Sequence, residues 1–132
     1  MIYWEDEYSV GIEEIDTQHM WIFDFVNTLE QELNDKDKQK DVGQILELLE
    51  DYCKRHFHYE EDCMNKWKCP VAGKNKCAHD QFLTTYENFM EKYNRKGHSE
   101  ALAWEIHDTL EQWLSNHICK IDVQLRACKK MI

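Results

Sequence analysis

The sequence contains very little glycine and proline, and this scarcity limits the folds that it can adopt. Its 132 residues include only 4 glycines and 1 proline. A sheet of many short strands needs frequent turns, and turns depend on those two residue types. We therefore expect an all-α protein. The length predicts one domain, residues 1–132, large enough to bury a substantial core.

The sequence also lacks an excess of basic residues. It has 16 Lys and Arg against 26 Asp and Glu, which gives a formal net charge of −10. Because phosphate binding needs clustered Lys and Arg, we expect no nucleic-acid partner. The acidic balance favours solubility instead.

The sequence also contains no long hydrophobic run. No stretch approaches the ~20 apolar residues of a membrane-spanning helix, and the N-terminal MIYWEDEYSVGI has neither the basic nor the apolar region of a signal peptide. We expect no membrane partner and a cytoplasmic location. In that reducing compartment the six cysteines should be mostly free thiols. Cys63, Cys69 and Cys77 bracket one loop, but their spacings match no compact zinc pattern.

Apolar residues recur at helical spacing in four segments. The pattern predicts one helix over about 15–34 and a second over about 40–66. A third helix carries residues 82–93 and ends near NRKG. A fourth runs from Ser99, an N-cap candidate, to Leu125. Residues 1–12 form an N-terminal arm with Trp and Tyr. Four amphipathic helices joined by short loops predict an antiparallel up-down-up-down four-helix bundle.

Several ionisable residues fall on or beside the apolar stripes that this bundle would bury. In HFHYEE, His56 and Glu60 lie one turn apart on the same face, whereas His58 falls on the opposite side and should face solvent. Six residues are predicted to lie on or beside the inward face: His19, His56, Glu60, His79, His117 and Asp122. Burying them is costly unless something pairs with them. Histidines from four helices together with carboxylates are typical of a non-haem iron or manganese site.

Four motifs resemble those of the bacterial hemerythrins in order and spacing, and the similarity covers essentially the whole chain. They are VGIEEIDTQH (10–19), HFHYEE (56–61), AHDQF (78–82) and WLSNHICKID (113–122). The resemblance implies a cofactor of two iron ions joined by an oxo or hydroxo bridge. The implied ligands are His19 and His56 on one iron, His79 and His117 on the other, and Glu60 and Asp122 as bridges.

The resemblance also implies a function. Hemerythrins bind O2 at an iron with an open position. Such binding would serve the carriage, storage or sensing of oxygen. Azide, peroxide or nitric oxide are further ligands of such a site. An apolar wall would exclude water and slow the loss of bound oxygen as peroxide. The residues expected in this wall are Ile22, Phe57, Trp113, Leu114 and Ile118. A protein reductant or a signalling partner is compatible with this function.

Two spacings on the fourth predicted helix affect the site. His117 and Asp122 are five residues apart, about 140° round an α-helix, so the bridging role of Asp122 depends on the resemblance. His107 precedes His117 by ten residues and lies roughly 80° from its face. We therefore do not predict His107 as a ligand of the irons.

Position 75 departs from the family pattern. The third histidine of the second iron should stand one turn before His79, where this sequence has Asn75. An amide oxygen is a much weaker iron ligand than imidazole, so either Asn75 or water would complete that iron. A second iron that can open predicts an alternative function, a diiron oxidase or peroxidase or a nitric-oxide-handling enzyme. Asn75 and the fate of bound oxygen distinguish this enzyme from an oxygen-binding protein.

Overall fold

The computed structural model describes residues 2–38, 40–119 and 122–130, and in the last range the side chains of residues 122 and 124–127. Over these residues the structure is helical and contains no strand, which confirms the all-α prediction. The α-helices are α1 (Glu13–Leu33), α2 (Val42–Lys66), α3 (Ala72–Lys96), α4 (Glu100–Trp113) and α5 (Leu125–Lys130). None of the helices in these ranges is long and apolar enough to cross a membrane.

Side-chain contacts near the helix ends show that neighbouring helices run antiparallel. The hydroxyl of Tyr93, late in α3, donates to Asp41 at the start of α2 at 2.9 Å. Lys92 of α3 pairs with Glu105 of α4 at 2.7 Å. Helix α1 packs against both α2 and α4. The predicted four-helix bundle is confirmed.

Local side-chain bonds explain where the helices begin and end. Asp41 starts α2 with a capping box, accepting from the backbone of Gly43 at 2.8 Å while its own N–H donates to the Gln44 side chain at 3.2 Å. Ser99 caps α4, as the sequence predicts, by accepting a backbone N–H of the first turn. Gly97 ends α3 at φ 71°, a conformation that glycine adopts without a steric penalty.

The N-terminal arm closes one side of the bundle. The Trp4 ring meets the Phe23 ring edge-on at 5.8 Å, and the Asn27 amide donates to the backbone oxygen of Ile2 at 2.8 Å. The main core lies between the long helices, and a smaller apolar cluster forms where the arm, α1 and the end of α2 meet α5. The arm thus covers apolar residues of α1.

The cysteines are mostly free thiols, as expected for the residues that the structure describes. The free thiols are those of Cys53, Cys63, Cys77 and Cys119. Cys69 differs, because it takes part in a disulfide. The expectation of free thiols assumed a reducing compartment, and the spacings of the cysteines gave no signal for this disulfide.

The fourth predicted helix is not continuous, so its predicted extent to Leu125 is wrong. Helix α4 ends at Trp113 and is followed by a π turn (Leu114–Ile118), and a 3₁₀ turn (Asp122–Gln124) precedes α5. In the π turn, the backbone N–H of Cys119 donates to the carbonyl five residues earlier at 3.1 Å. This wider turn changes the directions of the following side chains. Apolar spacing alone could not reveal it.

Candidate metal centre

The six residues predicted to lie on or beside the inward face converge in the bundle core. Helix α1 contributes His19, α2 contributes His56 and Glu60, and α3 contributes His79. The π turn and the following 3₁₀ turn contribute the other two residues, His117 and Asp122. All six are buried. Their polar atoms therefore have to interact with one another or with a bound ion.

Four of these side chains form what we call the first donor group: His19, His56, Glu60 and Asp122. Nε2 of His19 lies 3.0 Å from Nε2 of His56. The same His19 atom lies 3.2 Å from Oε2 of Glu60 and 3.2 Å from Oδ2 of Asp122. Nε2 of His56 is 3.3 Å from Oε2 of Glu60. Two nitrogens and two carboxylate oxygens thus face one point.

The second donor group consists of His79, His117, Glu60 and Asp122. Nε2 of His117 lies 3.2 Å from Nε2 of His79 and 2.9 Å from Oδ1 of Asp122. Nε2 of His79 lies 3.3 Å from Oε1 of Glu60. Each carboxylate therefore gives one oxygen to the first donor group and its other oxygen to the second.

Two further side chains orient the histidine rings. Nδ1 of His56 donates to Oε1 of Gln18 at 2.6 Å, and Nδ1 of His79 donates to Oε2 of Glu61 at 3.1 Å. These oxygens act as acceptors, so they hold the proton on Nδ1 and leave the Nε2 lone pair for the donor group. Sequence analysis missed both residues. The only available signal was adjacency, because Gln18 precedes His19 and Glu61 follows Glu60.

The carboxylates control the charges in the metal-free site. Burial lowers the pKa of His19, but the contacts of its Nε2 with the Asp122 and Glu60 carboxylates outweigh burial and raise the pKa to about 9. Burial dominates at His56 and lowers its pKa. Burial would raise the pKa of Glu60, but the surrounding histidines hold it well below its usual range. Burial also lowers the pKa of His79, but the neighbouring Glu60, Asp122 and Glu61 carboxylates outweigh burial and raise it. Without a metal, positive charge in the site is thus favoured on His19 and His79.

Asn75 lies one turn before His79 on α3 and is fully buried. Its Nδ2 donates to Oε1 of Glu60 at 3.0 Å, on the side of the second donor group. Its Oδ1 has no hydrogen-bond partner among the described residues. The amide therefore presents its nitrogen, which cannot ligate a metal, to the Glu60 carboxylate. Ligation of a second iron through Oδ1 or through water stays a prediction.

Aromatic rings cover the second donor group. Phe57 stacks on the ring of His79 and Trp113 stacks on the ring of His117, each with centroids 3.9 Å apart. The other expected wall residues, Ile22, Leu114 and Ile118, are buried in the same core cluster. Trp113 is only partly buried. A role for these five residues in an oxygen pocket stays a prediction.

The donor set fits metal ions on two grounds. Ligands about 2.1 Å from an octahedral ion stand about 3.0 Å apart along each edge, and the histidine–histidine and histidine–carboxylate contacts described above are 2.9–3.3 Å long. Both carboxylate oxygens of Asp122 are buried without a hydrogen-bond partner among the described residues. Buried carboxylates need a cation, and imidazole with carboxylate suits iron.

The fold and these donors define a four-helix bundle whose core holds histidine and carboxylate groups that could bind metal ions. A family profile described as the hemerythrin HHE cation binding domain matches residues 10–126. The chain belongs to this hemerythrin family, which implies non-haem iron binding.

Known proteins of the same family resemble the chain over most of its length. It is 30% identical to a bacteriohemerythrin of Methylococcus capsulatus, covering 92% of this chain and 91% of that protein. It is 28% identical to a bacteriohemerythrin of Clostridium acetobutylicum, with 92% and 96% covered. A bacteriohemerythrin of Stenotrophomonas maltophilia is 27% identical, with 89% and 74% covered.

Proposed function

We propose that the chain holds two iron ions in the bundle core, one in each donor group, and binds O2 there. One observation carries the proposal: Glu60 and Asp122 each direct their two oxygens to different histidine pairs. Carboxylates arranged in this way can bridge two metals. Carriage, storage or sensing of oxygen follows as the role.

The residues around the donor groups perform the tasks that oxygen binding requires. Bound ferrous iron supplies the electrons for reversible binding of O2. Gln18 and Glu61 fix the tautomers of His56 and His79, so that Nε2 faces the metal. Phe57 and Trp113 lie over His79 and His117 and keep water from that side of the site.

A second candidate function is favoured by Asn75. Asn75 donates its amide N–H to Glu60, and the second donor group contains only two imidazoles, those of His79 and His117, among the described residues. An iron held there would keep a position that water, azide, peroxide or nitric oxide can occupy. The chain would then act as a diiron oxidase, peroxidase or nitric-oxide-handling enzyme.

The proposal extends to the cellular setting. A cytoplasmic location suits the four free thiols of Cys53, Cys63, Cys77 and Cys119, since reducing compartments keep thiols free, whereas the disulfide of Cys69 is of a kind that such compartments disfavour. In that setting a protein reductant would transfer electrons to the iron site, or a signalling partner would respond to the state of the iron site.

Metal analysis and optical spectroscopy of the anaerobically purified protein test the proposal. We expect two irons per chain, and a visible absorption band that appears when the reduced protein meets O2 and disappears under vacuum. A band that decays to the oxidised protein while peroxide is released would favour the enzyme. An iron content near zero, or zinc alone, would contradict both functions.

A further inference from the structure

A second cluster of potential metal ligands lies away from the iron site, between α1 and α4. It consists of Glu30, in the last turn of α1, and His107 and Glu111 on α4. We call it the Glu30 cluster. It is roughly 16 Å along α1 from His19, at a rise of 1.5 Å per residue. The two sites therefore share no ligand.

His107 is the feature that marks the Glu30 cluster as a site. The residue is 3% exposed, and its Nε2 has no hydrogen-bond partner among the described residues. Its Nδ1 lies 2.9 Å from Oδ1 of Asp108, a carboxylate that accepts the ring proton. This bond leaves the Nε2 lone pair free to bind a metal ion, the arrangement found for many metal-bound histidines.

The two glutamates stand at ligand separations from this nitrogen. Oε1 of Glu30 lies 3.4 Å and Oε2 of Glu111 lies 3.6 Å from Nε2 of His107. Ligands about 2.1 Å from a tetrahedral ion stand about 3.4 Å apart. The separations are thus longer than those in the iron donor groups and fit a tetrahedral ion, with water in the fourth position.

Helix geometry and charge support the same conclusion. His107 and Glu111 are four residues apart and share one face of α4, while Glu30 comes from the facing helix. The Glu111 side chain is 39% exposed and that of Glu30 is 21% exposed, so an ion can enter from solvent. Two carboxylates beside an imidazole whose Nε2 has no hydrogen-bond partner among the described residues attract a divalent cation.

We propose that Glu30, His107 and Glu111 bind a divalent cation of the zinc type, separately from the proposed irons. The ion would join the end of α1 to α4, so it would stabilise the bundle whenever it is bound. Asp108 is a positioning residue that fixes the His107 tautomer. The alternative is that His107 is protonated and held between the glutamates without any metal.

Zinc titration of the iron-loaded protein, with a chromogenic chelator as competitor, tests the proposal. We expect one zinc per chain in addition to the iron, with unchanged iron content. The Glu111→Gln and His107→Gln substitutions should weaken zinc binding at least about tenfold, and Asp108→Asn by about tenfold. Zinc should raise the melting temperature of the wild type but not of Glu111→Gln.

The matched control is the Asp62→Asn substitution. His58 and Asp62 on α2 have the same four-residue spacing and lie 3.2 Å apart, but both are exposed and no third ligand faces them among the described residues. Asp62→Asn should leave zinc binding unchanged. Glu111 is on the surface side of the cluster, so Glu111→Gln remains informative even if His107→Gln does not fold.

Three results would overturn the proposal. One is zinc affinity that is the same in Glu111→Gln as in the wild type. Another is zinc uptake matched by loss of iron, which would place zinc in the iron donor groups. The third is the absence of zinc binding by the wild type, which would assign His107 to the protonated, metal-free arrangement. None of these results bears on oxygen binding, so this proposal and the proposed function fail separately.

Discussion

His117 and Asp122 are five residues apart in the sequence, and Nε2 of His117 lies 2.9 Å from Oδ1 of Asp122. In a continuous α-helix their side chains would diverge by about 140°. The π turn at Leu114–Ile118 and the 3₁₀ turn that begins at Asp122 replace that helix. A local change of backbone geometry thus places the carboxylate between the two histidine pairs.

The first prediction concerns Asp122. Replacing it by Asn leaves only one oxygen to face two donor groups, so we expect the iron content to fall from two per chain to one or fewer. Elemental analysis of anaerobically loaded protein measures this. Asp80→Asn is the control, because Asp80 is next to His79 in the sequence but exposed at the surface. Two irons in Asp122→Asn would show that this carboxylate is not a bridge.

The second prediction compares two histidines of α2. His56 is buried and contacts Glu60, whereas His58 is exposed beside Asp62. His56→Ala should lose iron and destabilise the protein by about 3–5 kcal/mol, since it leaves buried charges without a partner. His58→Ala should keep its iron and change stability by less than about 0.5 kcal/mol. Urea unfolding and iron analysis of both variants provide the test, and equal iron loss would contradict the assigned helix face.

The third prediction concerns Asn75. Asn75→His would supply the missing imidazole to the second donor group and close the position that water or an anion can occupy. We expect the oxygenated protein to autoxidise about tenfold more slowly and to bind azide less tightly.

Its control is Asn75→Ala, which removes the bond to Glu60 without adding a ligand and should not slow autoxidation. The measurement is the decay of the visible band after the reduced proteins are mixed with O2. A wild-type adduct that outlives that of Asn75→His would refute this account of position 75.

The fourth prediction concerns protons released when metal binds. His19 has a pKa of about 9 in the metal-free site, above the usual value of 6.5, so it is protonated at pH 7. A metal ion needs the neutral ring, so anaerobic loading with ferrous iron at pH 7 should release at least about one proton.

The sign of the pH dependence follows from this release. Apparent iron affinity should increase as pH rises toward 9 and level off above it, where His19 no longer carries the proton. The same proton stabilises the metal-free protein fully below pH 6.5, and this contribution is lost as pH rises through 9. Proton release measured in a weakly buffered solution, and competition with a chelator at several pH values, test both statements. An affinity independent of pH between 7 and 9 would contradict them.

The sequence alone was sufficient to predict the first three long helices and the start of the fourth, together with the shared inward face of His56 and Glu60. Apolar spacing predicted the long helices, because an amphipathic helix must bury one stripe. The four-residue spacing placed His56 and Glu60 together, and the structure finds them 3.3 Å apart. The four sequence motifs indicated the hemerythrin family, and the profile match confirms it.

Contacts that depend on helix packing, or on the irregular turns after α4, became visible only in the folded structure. It paired Glu61 with His79, turned the nitrogen of Asn75 toward Glu60, and brought Asp122 to His117 through a π turn. Sequence spacing reports positions along one helix, whereas these contacts depend on how α2, α3 and the turn after α4 pack together. For the same reason, Glu30 and His107, which sequence analysis did not connect, face each other only because α1 and α4 pack side by side.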